Sequence, residues 1–361
     1  MTGREEEIFE WIKENPMISQ QEIAERANIT RSSVAVHISN LMKKGKIKGK
    51  GYVVSAESYV TVIGGANMDI SGTPAASLLM GDSNPGRISI SRGGVGRNIA
   101  ENLCRLGEQV EFITVLGDDL YGQEIMRSCR ELGMGMRHTL VAQGENTSTY
   151  LCVNNEKGEM EVAVNEMDLY RLLTPEYLET KLPIINRGEL LVIDANLTEE
   201  AILFLAEHCS VPILAEPVSA AKTKKLLPVL DKIYGIKPNR LELGTLTGIT
   251  IDSEESLKKA SRELLKKGVK EAYISLSDKG VLSVNAEESH HLPCMKCRIV
   301  NSTGCGDAFM AAAAWATVRG LSLEEKTRAG LAASAICIET EGAISTWLKE
   351  ETLVSKIQEN K

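Results

Sequence analysis

The sequence predicts an α/β fold: a mostly parallel sheet flanked by helices, a small β lid beside it, and a separate helical module in front. Three observations predict it. From residue 58 onward short β-rich runs alternate with helix-like stretches, as in SYVTVIGG, QVEFITVLG, ELLVIDAN, VPILAEPV, KIYGIKPN and EAYISLS. That alternation buries a parallel sheet between two helical layers. Two segments break the rhythm: residues 70–92 are rich in Ser, Gly and Pro, and residues 146–166 read as a hairpin turning at Asn155–Gly158. Finally, the charge changes along the chain. Residues 1–56 hold nine Lys/Arg and seven Asp/Glu, whereas the remainder holds 32 and 42. A basic segment ahead of an acidic body marks two modules, 1–56 and 57–361.

The bulk figures bound the class. The 361 residues are 43% hydrophobic and 25% charged, as in an ordinary soluble protein. No run approaches the ~20 apolar residues of a membrane span, and the acidic start MTGREEEIFEW has no signal-peptide core. Eight cysteines without framework spacing fit reduced thiols in a cytoplasm.

In the first module Ile8, Trp11 and Ile12 recur at helical spacing until Asn15-Pro16 ends the segment. Ser19, with Glu22 three residues later, predicts a capping box. The helix it opens, QQEIAERA, buries Ile23 and Ala24 and stops near Asn28. Thr30 starts a third helix, RSSVAVHISNLMKKG, with Val34, Ile38, Leu41 and Met42 as its apolar face. KGKIKGKGYVV then reads as a short basic hairpin. Residues 26–56 hold seven basic residues and no acidic one, which is what phosphate attraction requires. Three helices and a basic hairpin resemble a winged helix-turn-helix. The resemblance implies DNA contacts from Arg31, Ser32, Ser33 and His37 on the third helix and Lys46 and Lys48 in the wing. A solvated helical cap or dimerisation element is the structural alternative.

In the second module, strand ends are where ligands bind in open α/β sheets. VIGGANMDI places Asn67 and Asp69 just beyond a strand, an amide donor and a carboxylate acceptor suited to paired sugar hydroxyls; either alone could instead make an Asx turn. RGGVGRNIAENLCRLG lacks the third glycine of the dinucleotide fingerprint and the Lys-Ser/Thr of a Walker A loop. It keeps glycine backbone at a helix start, where a ligand can approach closely. In KPNRLE, Asn239 and Glu242 lie three apart at a helix start. They either order waters around Mg2+ or form a cap with an exposed glutamate. In NSTGCGDAF, the N–H groups of Gly304, Cys305 and Gly306 can face an anion, with Asp307 placed to take a proton from a hydroxyl. HHLPCMKC (290–297) offers two His and two Cys, but it reads as strand leading into that motif, and no structural zinc is expected.

These motifs in this order resemble the ribokinase-like carbohydrate kinases, often called the PfkB family, over residues 58–350. RGGVGRNIAENLCRLG is similar to the family's first signature and NSTGCGDAF to its second. The resemblance implies a ribokinase-like fold and use of ATP and Mg2+, and leaves open a monovalent cation such as K+. It implies Asp307 as general base and residues 304–306 as anion hole. Asn67, Asp69, Gly93, Gly94 and Asn98 would lie on the sugar, and Asn239, Glu242, Ser277 and Gly280 on the Mg-ATP side. Family members dimerise through the lid, so a homodimer is a further implication. Within the family, GDSNPGRI, GENTSTYL, GEMEVAVNEM and IKPNRLE are similar to the pseudouridine kinase branch. That branch implies phosphorylation of the 5′-hydroxyl of pseudouridine, with Asp82, Ser83 and Asn84 facing the nucleobase. The alternatives are a kinase for another nucleoside or a sugar, or a transcription regulator whose kinase-like body senses a ligand. Cys305 departs from the family's Ala or Gly, which makes the site oxidisable if its thiol pKa is lowered there. Ser277 replaces a common glycine.

Overall fold

A computed structural model describes residues 1–49 and 58–360. It divides into two compact units, Met1–Glu57 and Ser58–Lys361. In the first, helices Gly3–Glu14, Gln20–Ala27 and Arg31–Lys43 each begin on a hydroxyl cap, Thr2, Ser19 and Thr30, and the Ser19–Glu22 capping box is present. Asn28 ends the second helix in the left-handed region (φ 51°), a conformation Asn tolerates better than most residues. The core is Ile8, Phe9, Ile12, Ile23, Val34, Ile38, Leu41 and Ile47. Two details differ from the periodicity. Met42 is exposed, because Leu41 already closes the helix's inner face, and Phe9 fills the buried place beside a half-buried Trp11 that stacks under Arg26. The end of the expected basic hairpin, residues 50–54, lies outside the described residues.

The second unit is built on an eight-stranded sheet. In spatial order its strands are Ser289–Leu292, Val281–Val284, Glu271–Ser275, Gly235–Ile236, Ile213–Glu216, Leu190–Asp194, Val60–Ile63 and Val110–Ile113. The six from Glu271–Ser275 to Val110–Ile113 run parallel, and the last two in the chain add an antiparallel hairpin. Alternate residues feed two cores. Val60, Val62, Leu190 and Val192 face helices Val95–Arg105, Cys305–Val318 and Leu323–Ile338. Ile63, Leu191, Ile193 and Ile213 face helices Glu199–His208 and Glu254–Lys266. Burial on both faces explains why these strands read as unbroken apolar runs. Within Cys305–Val318, Ala311 to Ala314 are wholly buried; methyl side chains let the neighbouring helix Leu323–Ile338 approach closely.

A second sheet gathers the two segments expected to form a lid, in the order Gly86–Gly93, Asn67–Pro74, Thr149–Asn154, Met160–Glu166. It begins at Asn67, so the pair Asn67 and Asp69 belongs to the lid's first strand and not merely to the loop before it. Side chains alternate between faces. Asp69 therefore shares a face with Ser91, Tyr150 and Asn165, while Ile70, Ile90, Leu151 and Val164 share the other.

Candidate active site

The strand ends converge through one buried carboxylate. Asp194, at the end of Leu190–Asp194, accepts from the backbone N–H of Gly65 and of Gly96, both at 2.8 Å, and from Asn196 N–H at 2.9 Å. It staples the glycine turn after the first strand to the glycine-rich helix start. Three glycines are required there by packing of backbone on backbone. A Cβ on Gly64 would meet the Asp194 carboxylate at 2.5 Å, and one on Gly96 would meet Gly64 at 2.8 Å. Gly94 takes φ 98°, and a Cβ on it would lie 2.4 Å from the Gly65 carbonyl oxygen. Much of the glycine motif thus fits the chain to itself. Gly93 is different: its missing Cβ leaves room for the Asp69 carboxylate.

Arg97, buried in the first turn of that helix, organises the next shell. Its guanidinium donates to the carbonyls of Gly93 (3.0 Å) and Arg92 (2.8 Å), to Glu101 (2.6 Å) and to Asn98 Oδ1 (2.5 Å). With its oxygen held by Arg97, the Asn98 amide can only offer Nδ2 outward, and this donates to Asp307 Oδ2 at 2.7 Å. Asn67 Nδ2 donates to Asp69 Oδ1 at 2.6 Å. Burial raises the Asp69 pKa, against the Asn67 hydrogen bond and the Arg97 charge.

Asp307 stands in the first turn of helix Cys305–Val318. Gly304 caps that helix at φ 81°, where a Cβ would strike the Ala343 carbonyl oxygen at 2.0 Å, and no side chain caps the exposed N–H groups. Cys305 N–H bonds to Ser302 O at 3.3 Å, so of the three amides expected to face an anion this one is already engaged. Burial pushes Asp307 up to about 7, against Asn98 and Lys237, which lower it. The Cys305 thiol donates to the Asn301 carbonyl at 4.0 Å, and the neighbouring Cys337 and burial shift its pKa upward.

Lys237 and Glu216 complete the floor. Lys237 Nζ lies 3.2 Å from Glu216 Oε2 and 3.1 Å from where a Gly306 Cβ would be. Burial works against the Lys237 charge, but Glu216 and Glu242 outweigh it and keep the ammonium protonated. Burial raises Glu216 to about 8 despite Lys237, with Asp307 and Glu242 adding to the rise. Asn239 and Glu242 form a reciprocal capping box at 2.9 and 2.8 Å, yet Glu242 is buried and not exposed. Capping and a place on this floor are therefore compatible.

Next to Gly306 opens a cavity of about 280 Å³ lined by Lys237, Ser277, Gly280, Cys294, Phe309 and Ile338 among others. It is cationic at the Asp307 end and apolar at the other. Ser277 adopts φ 57°, the left-handed conformation its glycine counterpart would take more cheaply. Other expected residues make local contacts. Asn84 closes its own turn on Leu79 and Asp82, and Asp82 accepts from Ser83 N–H. His290 bonds Glu288 and His291 bonds the Lys279 carbonyl; among the described residues no three His, Cys, Asp or Glu side chains converge to hold a metal. On the third helix of the first unit Arg31 and Ser32 are exposed, while Ser33 and His37 are half-buried. Both serine hydroxyls share Thr30 Oγ1 at 2.9 Å. Lys48 is exposed and Lys46 lies over the Phe9 ring.

Sequence reasoning missed Arg97, Asp194, Glu216 and Lys237. The last three stand at or just beyond ends of the strands in ELLVIDAN, VPILAEPV and KIYGIKPN, so an ionisable residue at a buried strand's carboxyl end was the available signal. Arg97 lay inside the glycine motif, and nothing local marks it as buried.

Residues 57–350 match the pfkB family carbohydrate kinase model, and residues 1–48 match a winged helix-turn-helix DNA-binding model. The chain is 36% identical to the uncharacterized sugar kinase YeiI of Escherichia coli (strain K12), covering 93% of each chain. It is 35% identical to the pseudouridine kinase of the same organism, over 84% of this chain and 97% of that one. Among solved structures, Arabidopsis thaliana ribokinase complexed with ribose and ATP superposes with a TM-score of 0.76 at 22% identity, over 83% of this chain and 99% of the other. That likeness is one of fold.

Proposed function

The chain belongs to the pfkB family of carbohydrate kinases, and from that premise we propose that it transfers the γ-phosphoryl group of ATP to the 5′-hydroxyl of pseudouridine. The observation that carries the reading is Asp307: a carboxylate raised to about 7, aligned by Asn98 and next in the chain to Gly306 on the cavity wall. A base with a pKa near working pH best combines availability with proton affinity. Asp307 takes the proton of the attacking hydroxyl while Asn98 keeps the carboxylate oriented. Asn67 and Asp69 bind sugar hydroxyls under the lid. Lys237 and the Gly306 amide stabilise negative charge on the phosphoryl group in transfer. Ser277 and Gly280 line the nucleotide cavity.

The residues fit Mg2+. Glu216 is buried with the Lys237 ammonium 3.2 Å from its Oε2, and Glu242 and Asp307 lie close enough to raise its pKa. Glu216, Glu242 and Asn239 would hold the ion through its water shell. When bound, Mg2+ neutralises phosphate charge. A K+ requirement is tested in the same assay by replacing it with a large organic cation.

Pseudouridine is favoured by the DSNPG lid turn shared with that branch, where Ser83 and the free faces of Asp82 and Asn84 would meet the base. The test is ADP release by the full chain across pseudouridine, uridine, guanosine, ribose and deoxyribose. A preference for pseudouridine by at least tenfold in kcat/KM supports the assignment; a flat panel, or preference for another nucleoside or a free sugar, replaces it. Silence on every substrate together with ligand-dependent DNA binding would favour a sensor.

The winged helix-turn-helix supports a second activity, DNA binding. Its third helix exposes Arg31, Ser32, Ala35, Val36 and Ser39, with Lys43 and Lys48 beyond. Arg31, Lys46 and Lys48 would contact phosphates and Ser32 a base edge; half-buried Ser33 and His37 would serve the helix more than the groove. Titration of the full chain onto its own promoter should weaken with salt, log K falling by about 0.9 per neutralised phosphate for each tenfold rise in salt. Salt-independent binding would remove the phosphate contacts.

A further inference from the structure

One row of the second sheet continues sideways from Asp69. Strand register sets Ser91, Asp69, Tyr150 and Asn165 side by side, one on each strand and all on one face. That face carries the Asp69 carboxylate into the site. The carboxylate occupies the room a Gly93 Cβ would fill, and Arg97, which bonds the Gly93 carbonyl, aims Asn98 at Asp307. Tyr150 is the direct neighbour of Asp69, and Asn165 lies one strand further, about 10 Å away across two strand spacings. The Tyr150 hydroxyl donates to Met160 Sδ at 3.3 Å, and Met160 pairs with Asn154, four residues along the strand. The Tyr150 ring therefore runs along the sheet, over the next row, where Cys152 and Ala163 are small. Polar residues further along are spent on one another: Asn154 Nδ2 donates to Ser71 Oγ and Thr73 Oγ1. Asn165 is exposed and, among the described residues, its amide bonds to nothing. A carboxylate for sugar hydroxyls, then a half-buried aromatic ring, then an uncommitted amide follow the order of a nucleoside: ribose, base, base edge.

We propose that Tyr150 and Asn165 form the base subsite, which takes a pyrimidine C-nucleoside; this rests on the nucleoside kinase reading above. The Tyr150 ring is the platform on which the base stacks. Such a platform accepts any base, because every base has a π face. Asn165 supplies the choice. Pseudouridine has one more ring N–H than uridine, beside a ring carbonyl. The Asn165 amide matches that pair, Oδ1 accepting from the N–H and Nδ2 donating to the carbonyl. Uridine carries its sugar on that nitrogen and leaves Oδ1 without its donor, the kind of mismatch that discriminates strongly. The subsite supplements the Asp82–Asn84 turn, which closes the opposite end of the Asn67–Pro74 and Gly86–Gly93 pair.

The test is calorimetric titration of the full chain with pseudouridine and with uridine, for the wild type and three variants. Tyr150→Leu keeps apolar bulk but loses the ring. It should weaken both nucleosides alike, by about 5- to 150-fold, and Tyr150→Phe should restore them. Asn165→Leu should weaken pseudouridine at least about tenfold more than uridine. A fault in folding would lower the melting temperature, and recovery in Tyr150→Phe separates loss of the ring from loss of the strand. Unchanged affinity in Tyr150→Leu overturns the platform. An unchanged pseudouridine-to-uridine ratio in Asn165→Leu overturns the reader and returns discrimination to the Asp82–Asn84 turn. If the wild type turns over another nucleoside instead, the pseudouridine reading falls, and weaker binding of that nucleoside by Tyr150→Leu leaves the platform standing. A wild type that binds no nucleoside overturns the subsite, while kinase activity on a free sugar would survive it.

Discussion

Asp307 owes its proposed role to its surroundings. An ordinary aspartate is ionised far below neutrality and makes a poor base; burial brings this one to about 7. The rate should therefore rise with pH through about 7 as the carboxylate ionises. Asp307→Asn, which keeps the shape and removes the base, should lower kcat by about 10²–10⁴ with substrate binding largely intact; near-normal turnover would reject the role. Glu216 gives a second test, read as stability. Asp307 and Glu216 both have folded pKa values above their unfolded ones. Their contribution to stability is therefore complete below about pH 4 and lost as the pH rises through about 7 to 8. Thermal melts of the metal-free protein should fall between about pH 4 and 8, and Glu216→Gln should flatten that fall. The same variant should need more Mg2+ for half-maximal rate. An unchanged melting profile and unchanged Mg2+ dependence would remove Glu216 from the metal side.

At the scale of elements, the site is held by contacts between segments. The first glycine motif reads from sequence as a ligand cradle, but Gly94 and Gly96 are there chiefly because Gly64 and Gly65 pass against them. Gly94→Ala should cost about 2–4 kcal/mol, from a Cβ at positive φ and its clash with Gly65. Denaturant unfolding measures that loss; a loss below 1 kcal/mol would show that the two turns can part. Capping was legible where it is local: Ser19–Glu22 and Asn239–Glu242 both form as three-residue spacing predicts. Whether Glu242 faced water was not legible, because its burial is set by Lys237 and Glu216 from other strands. The partners of Arg97 are all within five residues of it, and what no local pattern marked was its burial.

At the scale of the molecule, the lid sheet has two unlike faces. One carries Asp69, Ser91, Tyr150 and Asn165, and the other carries Ile70, Ile90, Leu151 and Val164 with Ile88, Val153 and Val162 in the next row. Ile88 is 72% and Val164 64% exposed, an apolar sheet face of the kind that marks an interaction surface. A homodimer joined through these faces follows as a proposal from the family resemblance and this exposure. Sedimentation should give twice the chain mass, and Ile88→Lys with Val164→Lys should give the monomer. A monomeric wild-type protein would end that proposal.

By itself the sequence determined the classes of element and their order. Strand and helix periodicities, caps and turn residues act over a few positions, and so do the two signature motifs from which the family was read. The change of charge near residue 56 falls beside the division between the two compact units. Only the tertiary structure decided which charges meet. Asp194 joins two glycine turns, Arg97 aims Asn98 at Asp307, and Glu216 and Lys237 come together from adjacent strands. Those contacts set burial, and burial sets the pKa of Asp307. Desolvation depends on everything packed around a group, so no window of sequence around NSTGCGDAF contains it.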